Sequence, residues 1–105
     1  MKKIVVTAPV ADADAVRAAM GEADAGRIGN YTFCSFSSRG IGRFVPGPDA
    51  NPAIGTPGTP EEVEEVRIEV TCEDHLVAGV IAAVRRAHSY EEPAIDIYPL
   101  ESSQY

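Results

Sequence analysis

The sequence has no tryptophan, two cysteines, two histidines, and nine Lys and Arg against sixteen Asp and Glu. Each scarcity excludes a class of function. A formal charge of −7 leaves no basic stripe to displace counterions from a phosphate backbone, so nucleic acid is not an expected partner. His75 and His88 show neither HxH nor HxxEH spacing, whereas a dinuclear hydrolase needs roughly five or six His and carboxylate ligands around an open position. Cys34 and Cys72 are too far apart for a CxxC motif and read as free, buried thiols of a reducing compartment. Ser35, Ser37 and Ser38 lie in a strand-like stretch without the sharp turn that exposes a nucleophilic serine. No apolar run approaches the roughly twenty residues of a membrane span, and Ile4-Val5-Val6 is too short for a signal peptide. The absences predict a cytoplasmic protein with no membrane partner that is not an enzyme by itself.

What is present suits one domain, 1–105, with 45% hydrophobic and 24% charged residues. Residues 2–8 read as a first strand, with Val5 opposite Ile4 and Val6, which suits a central position. Asp12 or Asp14 is placed to cap a helix reaching about Ala25, with Val16, Ala19, Met20 and Ala23 at helical spacing. Gly26 stands where a left-handed residue would end it. Residues 31–39 form a second strand, and Gly40-Ile41-Gly42 is expected to turn it into a short partner at 43–45.

Residues 46–60 are dense in Pro and Gly and too long for a tight turn, so they are either a stiff connector or a loop that reaches a protein partner. An acidic approach, 61–65, leads to the clearest strand, where Val66, Ile68, Val70 and Cys72 alternate with Arg67, Glu69 and Thr71. Glu73 and Asp74 favour the dipole of a second helix with Val77, Val80, Ile81 and Val84 on its buried stripe, and 95–99 is the last strand. The order predicts an α+β ferredoxin-like βαββαβ plan, an antiparallel sheet with both helices on one face. A half-covered sheet with a small core has reason to oligomerise.

The densest polar group is His88 with Tyr90, Glu91 and Glu92. Its functional reading is a ligand site, or a divalent-cation site on His88 and Glu91, with Cys34 brought in by folding. Its plainer reading is a structural turn in which His88 ends the helix and Tyr90 packs. Arg27, Gly29 and Asn30 offer backbone N–H groups and charge to an anion, or simply stop a helix and start a strand.

Three stretches carry a family likeness: Gly26-Arg27-Ile28-Gly29-Asn30-Tyr31 running into Cys34-Ser35-Phe36-Ser37; Gly40-Ile41-Gly42-Arg43-Phe44 through Asn51-Pro52-Ala53-Ile54-Gly55; and His88-Ser89-Tyr90-Glu91-Glu92-Pro93-Ala94 followed by Asp96-Ile97-Tyr98-Pro99-Leu100. Together they resemble the small domain inserted into the Nif-three-like proteins, the GTP cyclohydrolase I type 2 homologues. The His-x-Tyr-Glu-x-Pro core also resembles the CutA-like divalent-cation-tolerance proteins, relatives of the PII signal proteins. Ser89 stands where these families usually have proline. The resemblance implies a PII-like variant of the ferredoxin-like fold and a homotrimer with ligand clefts between subunits. Those clefts would lie near Tyr31, Cys34, His88, Tyr90, Glu91 and Glu92, and 46–60 would serve as an effector loop. The parent family's hydrolase chemistry is not implied, since it belongs to other domains.

Overall fold

A computed structural model describes residues 1–101. The elements are β1 (Lys2–Pro9), α1 (Ala13–Glu22), β2 (Phe36–Phe44), β3 (Glu61–Cys72), α2 (Val77–Ala87) and β4 (Ala94–Pro99), with single 3₁₀ turns leading into both helices. The four strands form one sheet in the order β2-β3-β1-β4, every neighbouring pair antiparallel. This is the predicted ferredoxin-like arrangement, with β1 central. Ile4, Val6 and Ala8 share a buried cluster with Val66, Ile68 and Val70 of β3 and with Val16, Met20, Val80 and Val84 of the helices. Period-2 alternation thus aims one sheet face at two helical stripes, and each fully buried Val or Met contributes about 1.5–3 kcal/mol. On the opposite face Val5 is also buried, at 2% exposed, although no helix covers it.

Besides a second strand that begins at Phe36 rather than at 31, four details differ from the sequence expectation. Gly40-Ile41-Gly42 does not turn: β2 runs straight through it, paired residue for residue with Glu65, Glu64 and Val63. Neither glycine has positive φ, and a Cβ on Gly42 would overlap the Glu65 carboxylate. The bare backbone is there for close approach, the usual meaning of glycine inside a strand. The acidic stretch 61–65 is not an approach to β3 but its first half. Because β1 ends opposite Glu65, residues 61–64 pair only with β2, and the two strands extend as an arm that makes the molecule 49 × 24 × 23 Å. Asp12 does not cap α1 with its side chain; Oδ2 instead accepts from Ser89 N at 3.0 Å and Ser89 Oγ at 2.5 Å. Proline at 89 would have no N–H to donate, so serine adds a tie between the start of α1 and the turn after α2.

The fourth difference is at the end of α1. The left-handed residue that ends the helix is Asp24 (φ 74), two positions before Gly26: Ala25 N bonds to Met20 O and Asp24 N to Gly21 O, the paired bonds of a Schellman cap. Gly26 is also left-handed (φ 77), but it passes against the Cys34 backbone, with no room for a Cβ. A non-glycine residue in this conformation costs roughly 1–2 kcal/mol, and the Asp24–Arg27 ion pair that offsets it is exposed and worth little. Asp24→Gly should therefore raise stability by about 0.5–1 kcal/mol, read as a higher urea midpoint at unchanged slope. A lower midpoint would show that Asp24 contributes more than it strains.

Candidate functional site

The site begins where α2 stops. His88 leaves the helix in an extended conformation (φ −91, ψ 134), and its ring turns inward to 6% exposure. Nε2 lies 2.8 Å from the Thr7 carbonyl of β1, while the Tyr90 backbone N–H donates to Nδ1 at 3.1 Å. A carbonyl can only accept and an amide N–H can only donate, so the partners select the neutral Nε2–H tautomer. Both ring nitrogens are used within the chain. The geometry makes His88 a tie between α2, β1 and the following turn, leaving no lone pair for a metal.

That turn places Tyr90 with its ring centroid 5.0 Å from His88 and 5.7 Å, edge-on, from Phe44 at the end of β2. The Tyr90 hydroxyl donates to Glu65 Oε2 at 3.0 Å. Glu65 is 8% exposed and forms no ion pair among the described residues. Burial, then the hydrogen bond to this carboxylate and its charge, push the Tyr90 phenol well above its ordinary value of 10.0. Glu65 and Tyr90 open into a pocket of about 480 Å³, in the angle between the arm and the end of the sheet. Its walls include Phe44, Val45, Pro46, Pro52 and Ile54, and Glu91 and Glu92 also line it.

The 46–60 loop is one wall of this pocket and is held in place. Gly58 N bonds to Pro46 O at 2.8 Å, closing the loop at its base, and Asn51 N donates to Glu91 Oε1 at 2.9 Å. The only cationic side chain among the described residues of the lining, Arg43, turns to Glu62 at 3.0 Å.

Of the residues singled out from sequence, Tyr90, Glu91 and Glu92 line the pocket and His88 stands behind them. Tyr31 and Cys34 lie elsewhere in the chain. Cys34 N bonds to Gly26 O, and Gly26 N bonds to Thr71, which pairs with Lys3. Lys3 is four residues from Thr7 along β1, about 13 Å at strand spacing. Cys72 pairs with Lys2 at that same far end, and burial holds its thiol above the usual range, unfavourable to a thiolate ligand. Among the described residues no three His, Cys, Asp or Glu side chains converge as a metal site. Arg27 pairs with Asp24 at 2.7 Å, and Gly29-Asn30 forms a two-residue turn closed by mutual Ile28–Tyr31 hydrogen bonds, with Gly29 at φ 56. Sequence reasoning missed Glu65, which alternation assigns to a wet face. The signal that could have found it was the pair of glycines in β2, which leave space beside whatever faces them.

By fold the chain is a CutA-like, PII-like α+β domain. It superposes on the divalent cation tolerance protein CutA from Archaeoglobus fulgidus with a TM-score of 0.71 at 23% identity, covering 98% of this chain and 87% of that one. By sequence it is similar to proteins named GTP cyclohydrolase 1 type 2 homolog. The Halalkalibacterium halodurans protein is 48% identical over 98 residues, 93% of this chain and 26% of the relative. That of Mycobacterium tuberculosis is 49% identical over 100 residues, 95% and 26%. A Bacillus cereus protein related to NIF3 has a TM-score of 0.84 at 50% identity, covering 96% of this chain and 26% of that one. The chain thus spans about a quarter of the length of the curated relatives it matches. No family model matches it. No helix among the described residues is long and apolar enough to cross a membrane.

Proposed function

We propose that this chain is a non-catalytic, PII-like binding module, a cytoplasmic homotrimer whose pockets take a small ligand and whose 46–60 loops present the bound state to a partner. The observation that carries this reading is the hydrogen bond from Asn51 N to Glu91 Oε1. It joins the loop to the turn bearing Tyr90, so an occupant that moves either wall moves the other. Absence of catalysis is supported by the commitment of both His88 nitrogens, which leaves the pocket without a free imidazole for proton transfer. An accessory role beside the metal hydrolase portion of a Nif-three-like protein is the second reading, favoured by near-half identity to a quarter of such chains. It uses the same pocket and loop.

Two measurements test the module. The arm leaves Ile41 and Val45 more than half exposed and a strand edge at 61–64 unpaired, surfaces that a closed ring of three would cover. Light scattering on eluting protein should give three times 11.1 kDa; a monodisperse monomer at micromolar concentration would remove the trimer from the proposal. Glu91→Ala should then raise amide exchange of Asn51 about tenfold, the loss of roughly 1.4 kcal/mol of local protection, while Val66 to Val70 stay unchanged. Unchanged exchange at Asn51 would mean the loop is held by its own base and is not coupled to the turn.

A further inference from the structure

We infer that the pocket beside Tyr90 takes an organic cation, an ammonium or guanidinium on a small apolar body, with the Glu65 carboxylate as its counter-ion. This rests on reading the pocket as a ligand site and adds the ligand's charge and class. The first argument is an imbalance. Glu65 is more than nine-tenths buried, yet its one hydrogen-bonding partner is a neutral phenol on Oε2, and no cation pairs with it among the described residues. Its other oxygen is not a buried orphan, since no side-chain oxygen among the described residues is both buried and unpartnered; Oε1 therefore keeps contact with solvent, and Glu65 lines the pocket where a cation would meet it. Arg43 and His88 are engaged elsewhere, Arg43 with Glu62 and His88 with Thr7 and Tyr90.

The second argument is that the carboxylate has a built place. Gly42 leaves space that the Glu65 carboxylate occupies, and a Cβ there would push the carboxylate aside. Its neighbours suit an organic cation. The Tyr90 hydroxyl, while donating to Glu65, retains lone pairs that an N–H can reach, and the Tyr90 and Phe44 rings offer π-faces. Val45, Pro46 and Ile54 would enclose an apolar body.

The alternatives fit less well. An anionic ligand such as a nucleotide would meet Glu65, Glu91 and Glu92 with no free cation to offset them. A hard divalent metal wants about six or more oxygens, and no three acidic, His or Cys side chains converge among the described residues. An ammonium needs one carboxylate and a dry wall.

The test is calorimetric titration of the full chain, in its native assembly, with 2-phenylethylamine, with 3-phenylpropanoate as the same body of opposite charge, and with magnesium chloride. The amine should bind saturably and the other two should not. Glu65→Gln should weaken the amine at least tenfold. Ala53→Trp, in the pocket lining, should abolish binding, and an unchanged circular-dichroism spectrum and elution volume of Glu65→Gln would show that the first variant is folded. Equal binding of amine by Glu65→Gln overturns the inference. So does tighter binding of the phenylpropanoate or of magnesium, although a site blocked by Ala53→Trp would leave the pocket-module reading standing. If neither charge binds, the inference falls, and loosening of the oligomer by Glu65→Gln would then mean that a cation of a neighbouring copy fills the place.

Discussion

Replacing His88 with alanine should lower stability by about 3 kcal/mol at pH 7, one of the two largest effects expected from a single side chain here. Removing the ring leaves the Thr7 carbonyl without its Nε2–H donor and the Tyr90 amide without its Nδ1 acceptor. Each buried group left unsatisfied costs about 1–3 kcal/mol, and the volume vacated at 6% exposure adds a cavity cost, less whatever water and relaxation restore. The conservative variants separate the two bonds. Gln can still reach Thr7 with an N–H, and Asn can still accept from Tyr90 with its oxygen, so each should recover about half the loss. A helix-dipole role would behave differently: it would be worth about 1 kcal/mol at most, would be screened by salt and would disappear with the imidazolium charge. Urea unfolding at fixed protein concentration distinguishes them. A loss below about 0.5 kcal/mol for His88→Ala, or Gln and Asn no better than Ala, would mean the ring ties nothing.

The fold was legible wherever one physical signal acted alone. Alternation over 66–72 and the helical spacing of Val16, Met20, Val80 and Val84 both survive because burial on a single face determines them. Reading failed where a residue type serves two purposes. Glycines usually turn a strand, yet Gly40 and Gly42 remain extended, paired with Glu65 and Val63, and a carboxylate twenty-three positions along lies against the second of them. Asp12 has the chemistry of a cap, but Ser89 offers it two donors, and that competition depends on a contact 77 residues distant in sequence. Asp24 took the left-handed position because the helix ended a turn earlier than its apolar spacing suggested.

The same distinction divides the site. Tyr90, Glu91 and Glu92 were visible because they are contiguous and polar. Glu65 was not, because its partners, Tyr90 and the neighbouring strand's Gly42, are brought to it only by the fold. Tyr31 and Cys34 entered through family likeness, and within one chain β1 separates them from His88 by most of its length.

The Tyr90–Glu65 pair gives the other large effect, and it has a pH signature. Tyr90→Phe removes the only hydrogen-bond donor among the described residues to a carboxylate at 8% exposure, so it should cost about 1–3 kcal/mol at pH 7. Replacing both partners by apolar residues of similar volume, Glu65→Leu with Tyr90→Phe, should cost less than the single change, because no charge is then left buried and unpaired. The alkaline limb tests the same pair independently. The folded state raises the Tyr90 phenol above its ordinary 10.0, chiefly by burial and next by the bond to Glu65. A group that holds its proton more tightly when folded contributes stability in full below the unfolded value. That contribution drains away as pH rises past about 10 toward the higher folded value, because the unfolded chain ionises first. Wild type should therefore lose stability more steeply than Tyr90→Phe from about pH 10 upward, and the two curves approach each other only as pH nears the raised folded value. Glu65→Gln, which keeps an acceptor but removes the charge, should flatten the slope only in part, since burial is the larger cause. Parallel curves for wild type and Tyr90→Phe would show that the phenol is exposed in solution and that the pocket wall it forms is not closed.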